Sequence, residues 1–110
     1  MSFGKMSERI QIVQTVTKTD REGFAYSEDE VTAEVKAYRE GRHGSEKWAN
    51  TATFSTATDL FRFRRIPYVE VSTDMLIICR GQRFEITSVE DVRGKGMYIE
   101  ALAKAVTPSG

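Results

Sequence analysis

The chain has 110 residues, 40% hydrophobic and 29% charged, with 16 bases balancing 16 acids. One domain of this length, residues 1–110, has room for one core, burying roughly two thirds of the unfolded surface. Zero net charge argues against a dedicated nucleic-acid binder, which grips phosphates with a basic excess. The longest apolar run, Met75 to Cys79, is far too short to cross a bilayer, so no membrane role is expected. The first residues lack the apolar stretch of a signal peptide, and a cytosolic origin is expected.

In chain order, Glu8 to Thr17 reads as a strand, with Ile10, Ile12 and Val16 on one parity. Lys18 to Glu30 reads as a polar connection: from Asp20 onward its five acids outweigh a single base. Val31 to Tyr38 reads as a second strand, with Val31, Ala33, Val35 and Ala37 facing one way. Glu40 to Thr58 breaks the alternation. It opens on Gly-Arg-His-Gly, and Ser45 is placed to cap a short helical turn through Asn50. A structureless excursion of this length in a small domain is usually functional or disordered.

Leu60 to Ile66 is the third predicted strand, with Phe61 and Phe63 on one face and Arg62 and Arg64 on the other. Val69, Val71 and Met75 to Cys79 read as a further extended stretch. Arg80-Gly81-Gln82 reads as a tight turn and Arg83 to Val92 as a strand. Arg93-Gly94-Lys95-Gly96 is the clearest hairpin turn, and Met97 to Val106 closes the domain ahead of a frayed tail. Short strands separated by turn signals predict an all-β fold, a small antiparallel barrel or sandwich.

No reaction chemistry is evident. One histidine, His43, and one cysteine, Cys79, supply neither a zinc set nor a disulfide. A Cys79–His43 nucleophilic pair would need an exposed thiol, whereas Cys79 ends an apolar run. The acids between Asp20 and Glu30 lack the ligand spacing of a calcium loop, and Gly94-Lys95-Gly96 lacks the frame of a phosphate loop. No cofactor, no metal and no enzymatic activity are therefore expected.

From Lys36 to Arg65 seven bases face three acids. Arg62 and Arg64 then form either an ordinary solvated strand face or a surface lying loosely against a polyanion. Trp48 has two readings also: an anchor folded onto its own barrel, or a contact with a neighbouring subunit.

The C-terminal half, Arg80-Gly81-Gln82-Arg83-Phe84-Glu85-Ile86-Thr87-Ser88-Val89 followed by a turn and Tyr98-Ile99-Glu100-Ala101-Leu102, resembles the head–tail joining proteins of long-tailed bacteriophages. Glu8-Arg9-Ile10-Gln11-Ile12 resembles that family's opening strand, Gly44-Ser45-Glu46-Lys47-Trp48-Ala49 its central loop, and Phe61-Arg62-Phe63-Arg64 the strand that follows. One departure is Arg80-Gly81, where the family usually has Asp-Gly or Asn-Gly; it leaves the turn type open.

The resemblance implies a head-completion or stopper protein of a phage or prophage: a small β-barrel with a long central loop able to carry a short helical turn. Copies would form a homo-oligomeric ring in the virion, assembled in the cytoplasm of the bacterial host. Its partners would be the portal or adaptor protein above and a tail-completion protein below, with double-stranded DNA in the lumen and no sequence recognition. The channel-facing loop would then carry Arg42, His43, Glu46, Lys47, Trp48 and Asn50. A competing reading is a small oligonucleotide-binding barrel, with Phe61 and Phe63 stacking single-stranded bases beside the Arg62 to Arg65 cluster.

Overall fold

The structure is a computed structural model, and it describes residues 6–41, 57–94 and 96–106. Six strands are formed among them: β1 (Glu8–Thr19), β2 (Ala25–Gly41), β3 (Asp59–Arg64), β4 (Met75–Cys79), β5 (Gln82–Asp91) and β6 (Tyr98–Ala105). They pair antiparallel throughout and close into a barrel in the order β1-β2-β3-β6-β5-β4. The all-β barrel expected from the strand pattern is thus the fold observed.

The barrel interior is solid. Ile10, Ile12, Ala37, Phe61, Phe63, Ile77, Phe84, Ala101 and Ala103 line it, and all are fully buried. Large and small residues alternate around it. Phe63 pairs with Ala37, Phe61 with Ala101 and Phe84 with Ala105, so each ring has a methyl opposite it on the next strand. So few strands leave too narrow an interior for three rings unless their neighbours are small. Phe61 and Phe84 meet edge to face, with centroids 5.1 Å apart and planes at 73°, the arrangement favoured by ring quadrupoles.

Two bulges bend the wall. Ile12 pairs with Ala33 but Val13 pairs with Val31, leaving Thr32 as an extra residue on β2. Ile86 pairs with Ala103 and Ser88 with Leu102, leaving Thr87 extra on β5; its hydroxyl donates to the Leu102 carbonyl at 3.1 Å. Bulges sharpen local twist and help a narrow sheet close. The first also breaks the expected parity: Val31 does not share the inner face of Ala33 to Ala37 but is exposed.

Three further stretches differ from their sequence expectation. Lys18 to Glu30 is not a connection; the connection is only Asp20 to Phe24, and the rest belongs to β1 and β2. These strand ends are exposed on both faces, so they carry no apolar alternation to betray them. Val69 and Val71 do not join β4; they lie in a non-strand segment, residues 65–74. That segment crosses from β3 to β4, which sit three places apart in the ring of six. It therefore spans one barrel end, where Ile66 and Val71 pack against the core. The β5–β6 connection is longer than a tight turn, and within it Arg93 and Gly94 take left-handed backbone, with φ 58° and 63°. The tail, residues 107–110, and the helical turn expected after Ser45 lie outside the described residues.

Arg80-Gly81 is a two-residue hairpin loop between the paired Cys79 and Gln82. Both residues have positive φ, 52° and 79°, the type I′ pattern whose twist suits a hairpin. The turn type left open by the sequence is therefore the same one that Asn-Gly would form.

Candidate assembly surfaces

The two barrel ends differ in chemistry. At one end lie the start of β1, the end of β2, the start of β3 and the β4–β5 turn. Here the mouth is closed by a polar plug. Arg39 follows the inward parity of Ala37, and its guanidinium lies 5.1 Å from the Phe84 ring centroid and 5.9 Å from that of Phe61. Its Nε donates to Asp59 Oδ2 at 2.8 Å, and their side chains are 27% and 10% exposed. A largely desolvated pair of this kind holds its geometry, because removing either partner strands the other charge. Thr58 Oγ1 donates to Asp59 Oδ1 at 2.8 Å and accepts from the Ala105 N–H at 2.9 Å, which ties β3 to β6.

Beside the plug, Arg80 makes a two-pronged contact with Glu8, from Nε at 2.7 Å and Nη2 at 2.8 Å. These hydrogen bonds hold the Glu8 carboxyl below its usual range despite opposing desolvation. Cys79 Sγ sits 3.6 Å from Glu8 Oε1 and 3.9 Å from Arg39 Nη1, and burial pushes the thiol up. It is fully buried, so this thiol is an inward packing group and not an exposed nucleophile.

The segment between β2 and β3 leaves and re-enters the barrel at this same mouth. Gly41 pairs directly with Asp59, so the two ends of residues 42–58 are adjacent on the rim. The residues expected to face a channel, Arg42, His43, Glu46, Lys47, Trp48 and Asn50, lie outside the described residues.

Arg62 and Arg64 both point outward from β3, but into different surroundings. Arg62 is only 15% exposed; it donates from Nε and Nη2 to Glu100 and lies over the Tyr38 ring at 5.7 Å. Arg64 is exposed. The structure brings Arg64 together with Arg65 and Lys36 instead, around a groove floored by Val35, Ile66 and Pro67. Phe61 and Phe63, which the oligonucleotide reading needs on the surface, are fully buried inside the barrel.

At the opposite end, residues 65–71 roof a groove of about 770 Å³ that also involves Val89, Asp91 and Ile99. Tyr68 stands at its edge, fully exposed, in left-handed backbone with φ 68°. From this end projects the feature that sequence reading missed. β4 pairs with β1 only as far as Gln14, and β3 pairs with β2 only from Ala37 onward. Beyond those points the two strands pair with each other alone, as a ribbon from Thr15–Thr19 and Ala25–Asp29. Its tip is ordered by Asp20, whose carboxylate accepts from the N–H groups of Glu22 and Phe24, both at 2.9 Å, while Gly23 takes φ 89°. Phe24 and Tyr26 are 66% and 46% exposed on it. The available signal was Asp-Arg-Glu-Gly flanked by Val16-Thr17 and Phe24-Ala25-Tyr26, turn residues between β-formers.

The model of the phage head completion protein family matches residues 1–106, almost the whole chain. The chain belongs to that family. As a phage head completion protein, it carries a structural family's barrel, which agrees with the head–tail resemblance of its strands. Solved structures repeat the fold. The solution structure of protein SF1141 from Shigella flexneri 2a superposes with a TM-score of 0.73 at 17% identity, covering 96% of each chain. A chain of the virion of the native gene transfer agent particle superposes with a TM-score of 0.59 at 20% identity, covering 89% of this chain and 93% of that one. A search of curated proteins found no match.

Proposed function

We propose that this head completion protein forms a ring in the head–tail connector of a phage or prophage particle. The ring joins the portal or adaptor to the tail and presents residues 42–58 to the DNA channel. Family membership across residues 1–106 carries the reading. The likeness to a chain of a gene transfer agent virion supports placement within a particle. The barrel supplies what such a part needs mechanically: a solid core, and a loop anchored at both ends on one rim by the Gly41–Asp59 pairing. The Arg39–Asp59 pair fixes that rim, so loop length can vary without opening the core.

Within a ring, Arg42, His43, Glu46, Lys47, Trp48 and Asn50 are repeated around the lumen, and weak contacts with DNA add up without sequence readout. The barrel itself acts as a joint, with no turnover. The oligonucleotide-binding alternative loses its stacking platform, since Phe61 and Phe63 face inward.

The test shortens the loop between Gly41 and Thr56 and asks a joining-deficient phage to assemble with the variant. The expected outcome is a folded subunit and filled heads that leak DNA or fail to join tails. Loop length changes closure entropy only slowly, so the barrel survives the deletion. Normal DNA retention and infectivity would overturn the channel-closing role; joining without any ring in imaged connectors would overturn the ring.

A further inference from the structure

We infer that the β1–β2 ribbon is an arm that clasps a second copy of this chain, seating on the groove bounded by Lys36, Arg64 and Arg65. This rests on the ring reading and names the contact that builds the ring.

The arm contributes little to its own barrel. All its residues beyond Val16 are exposed, and both ribbon edges are free of other strands. Its reach past Gln14 is five residues on β1, ~17 Å at strand rise. Exposed paired strands with bare edges are normally shortened or covered, because they invite partners. Here the tip is instead stiffened: the Asp20 carboxylate locks the turn, and Phe24 is held out in water. Stiffening an exposed aromatic removes ordering cost at the moment of docking.

Charge selects the occupant. From Thr15 to Asp29 the arm carries four acids and two bases, with Glu30 at its root; Lys18 meets Glu28 and Glu30, and Asp29 meets Arg83 of β5, so Asp20 and Glu22 are the acids left beside Phe24. The groove is its complement. Lys36, Arg64 and Arg65 are exposed, and among the described residues no acid lies within ion-pair distance of them. Val35, Ile66 and Pro67 floor a space of about 420 Å³ between them. An aromatic tip flanked by acids fits an apolar floor flanked by bases, and both halves are present on every copy. Arm and groove are different surfaces, so the contact is head-to-tail, the kind that propagates into a ring and does not stop at a two-fold dimer.

The experiment uses the full chain and its oligomeric state by sedimentation velocity, up to about 1 mM, where weak contacts still register. Wild type is expected to self-associate, less so at high salt because screening weakens exposed charge pairs. One variant reverses the arm (Glu22→Lys with Glu30→Lys) and another reverses the groove (Arg64→Glu with Arg65→Glu). Each alone should associate at least about tenfold more weakly, a change of one decade in the constant. An equimolar mixture should recover association, because each variant's arm then meets a complementary groove. Phe24→Ser should weaken association without restoring partner.

All these sites are exposed, and circular dichroism checks that each variant folds. A wild-type chain that stays monomeric throughout overturns the clasp and points to a different protein as the arm's partner. Association that ignores these substitutions, or a mixture that recovers nothing, also overturns it. In each of those cases rings imaged in assembled connectors would leave the ring reading standing, so the two failures are distinguishable.

Discussion

Glu8 shows how a single residue links barrel closure to pH. It begins β1 opposite Ala37 and is gripped by Arg80 across the mouth. That grip lowers its proton affinity in the folded chain relative to the unfolded chain. The stabilisation is therefore complete above the usual carboxylate range and is lost as pH falls through the depressed folded value. Asp29, held by Arg83, and Glu34, held by Arg9, act in the same direction. The melting temperature should thus fall as pH drops from about 6 to about 3, across the titration range of carboxylates. Glu8→Gln should flatten part of that slope in a thermal melt series. Parallel slopes for the two proteins would mean that the Arg80 contact does not bias protonation.

At the scale of elements, the arm is joined to the barrel mainly through its own two strands, with one side-chain tie to β5, the Asp29–Arg83 pair. The ribbon's other in-chain ties are exposed ones: Lys18 with Glu28 at 2.6 Å and with Glu30 at 3.4 Å, and Thr15 with Asp29 at 3.1 Å. Exposed pairs of this kind contribute little to stability. Replacing Val16 to Glu28 with Asn-Gly would join the paired Thr15 and Asp29 through a two-residue turn. That excision should change unfolding free energy by no more than about 1 kcal/mol, as for surface changes away from the core. Urea denaturation checks it, and a loss of several times that value would make the arm part of the cooperative unit. The same excision should abolish self-association, since it removes Phe24 and the acids around it.

The whole molecule is organised around one packed axis. Phe84 touches Phe61 edge to face, lies under the Arg39 guanidinium and pairs with both Ile77 and Ala105. It joins the hydrophobic interior to the polar plug that closes the mouth. Phe84→Ala should cost about 3–5 kcal/mol, the usual range for emptying a buried ring site. It should also loosen the Arg39–Asp59 rim on which residues 42–58 are anchored. A chemical-denaturation loss below about 1 kcal/mol would mean that the barrel collapses around the gap.

The sequence by itself determined the barrel wherever one face of a strand is buried. Alternation at Ile10 and Ile12 and at Phe61 and Phe63 reports an inner and an outer face, and the structure keeps both assignments. It also determined the family resemblance, carried by the opening strand from Glu8, the Phe61-Arg62-Phe63-Arg64 strand and the Gly81 to Val89 stretch standing in that order along the chain. Tertiary structure alone decided the rest. The arm is strand on both sides of Asp20 to Phe24 yet buried on neither, so its residues carry no periodic signal. Arg62 and Arg64 share a parity and look equivalent in sequence, but Glu100 and Tyr38 enclose only the first. Lys36, Arg64, Arg65 and Ile66 become one groove only because β2 runs on past the end of β3. Burial leaves a local mark on a sequence; which distant strand lies alongside does not.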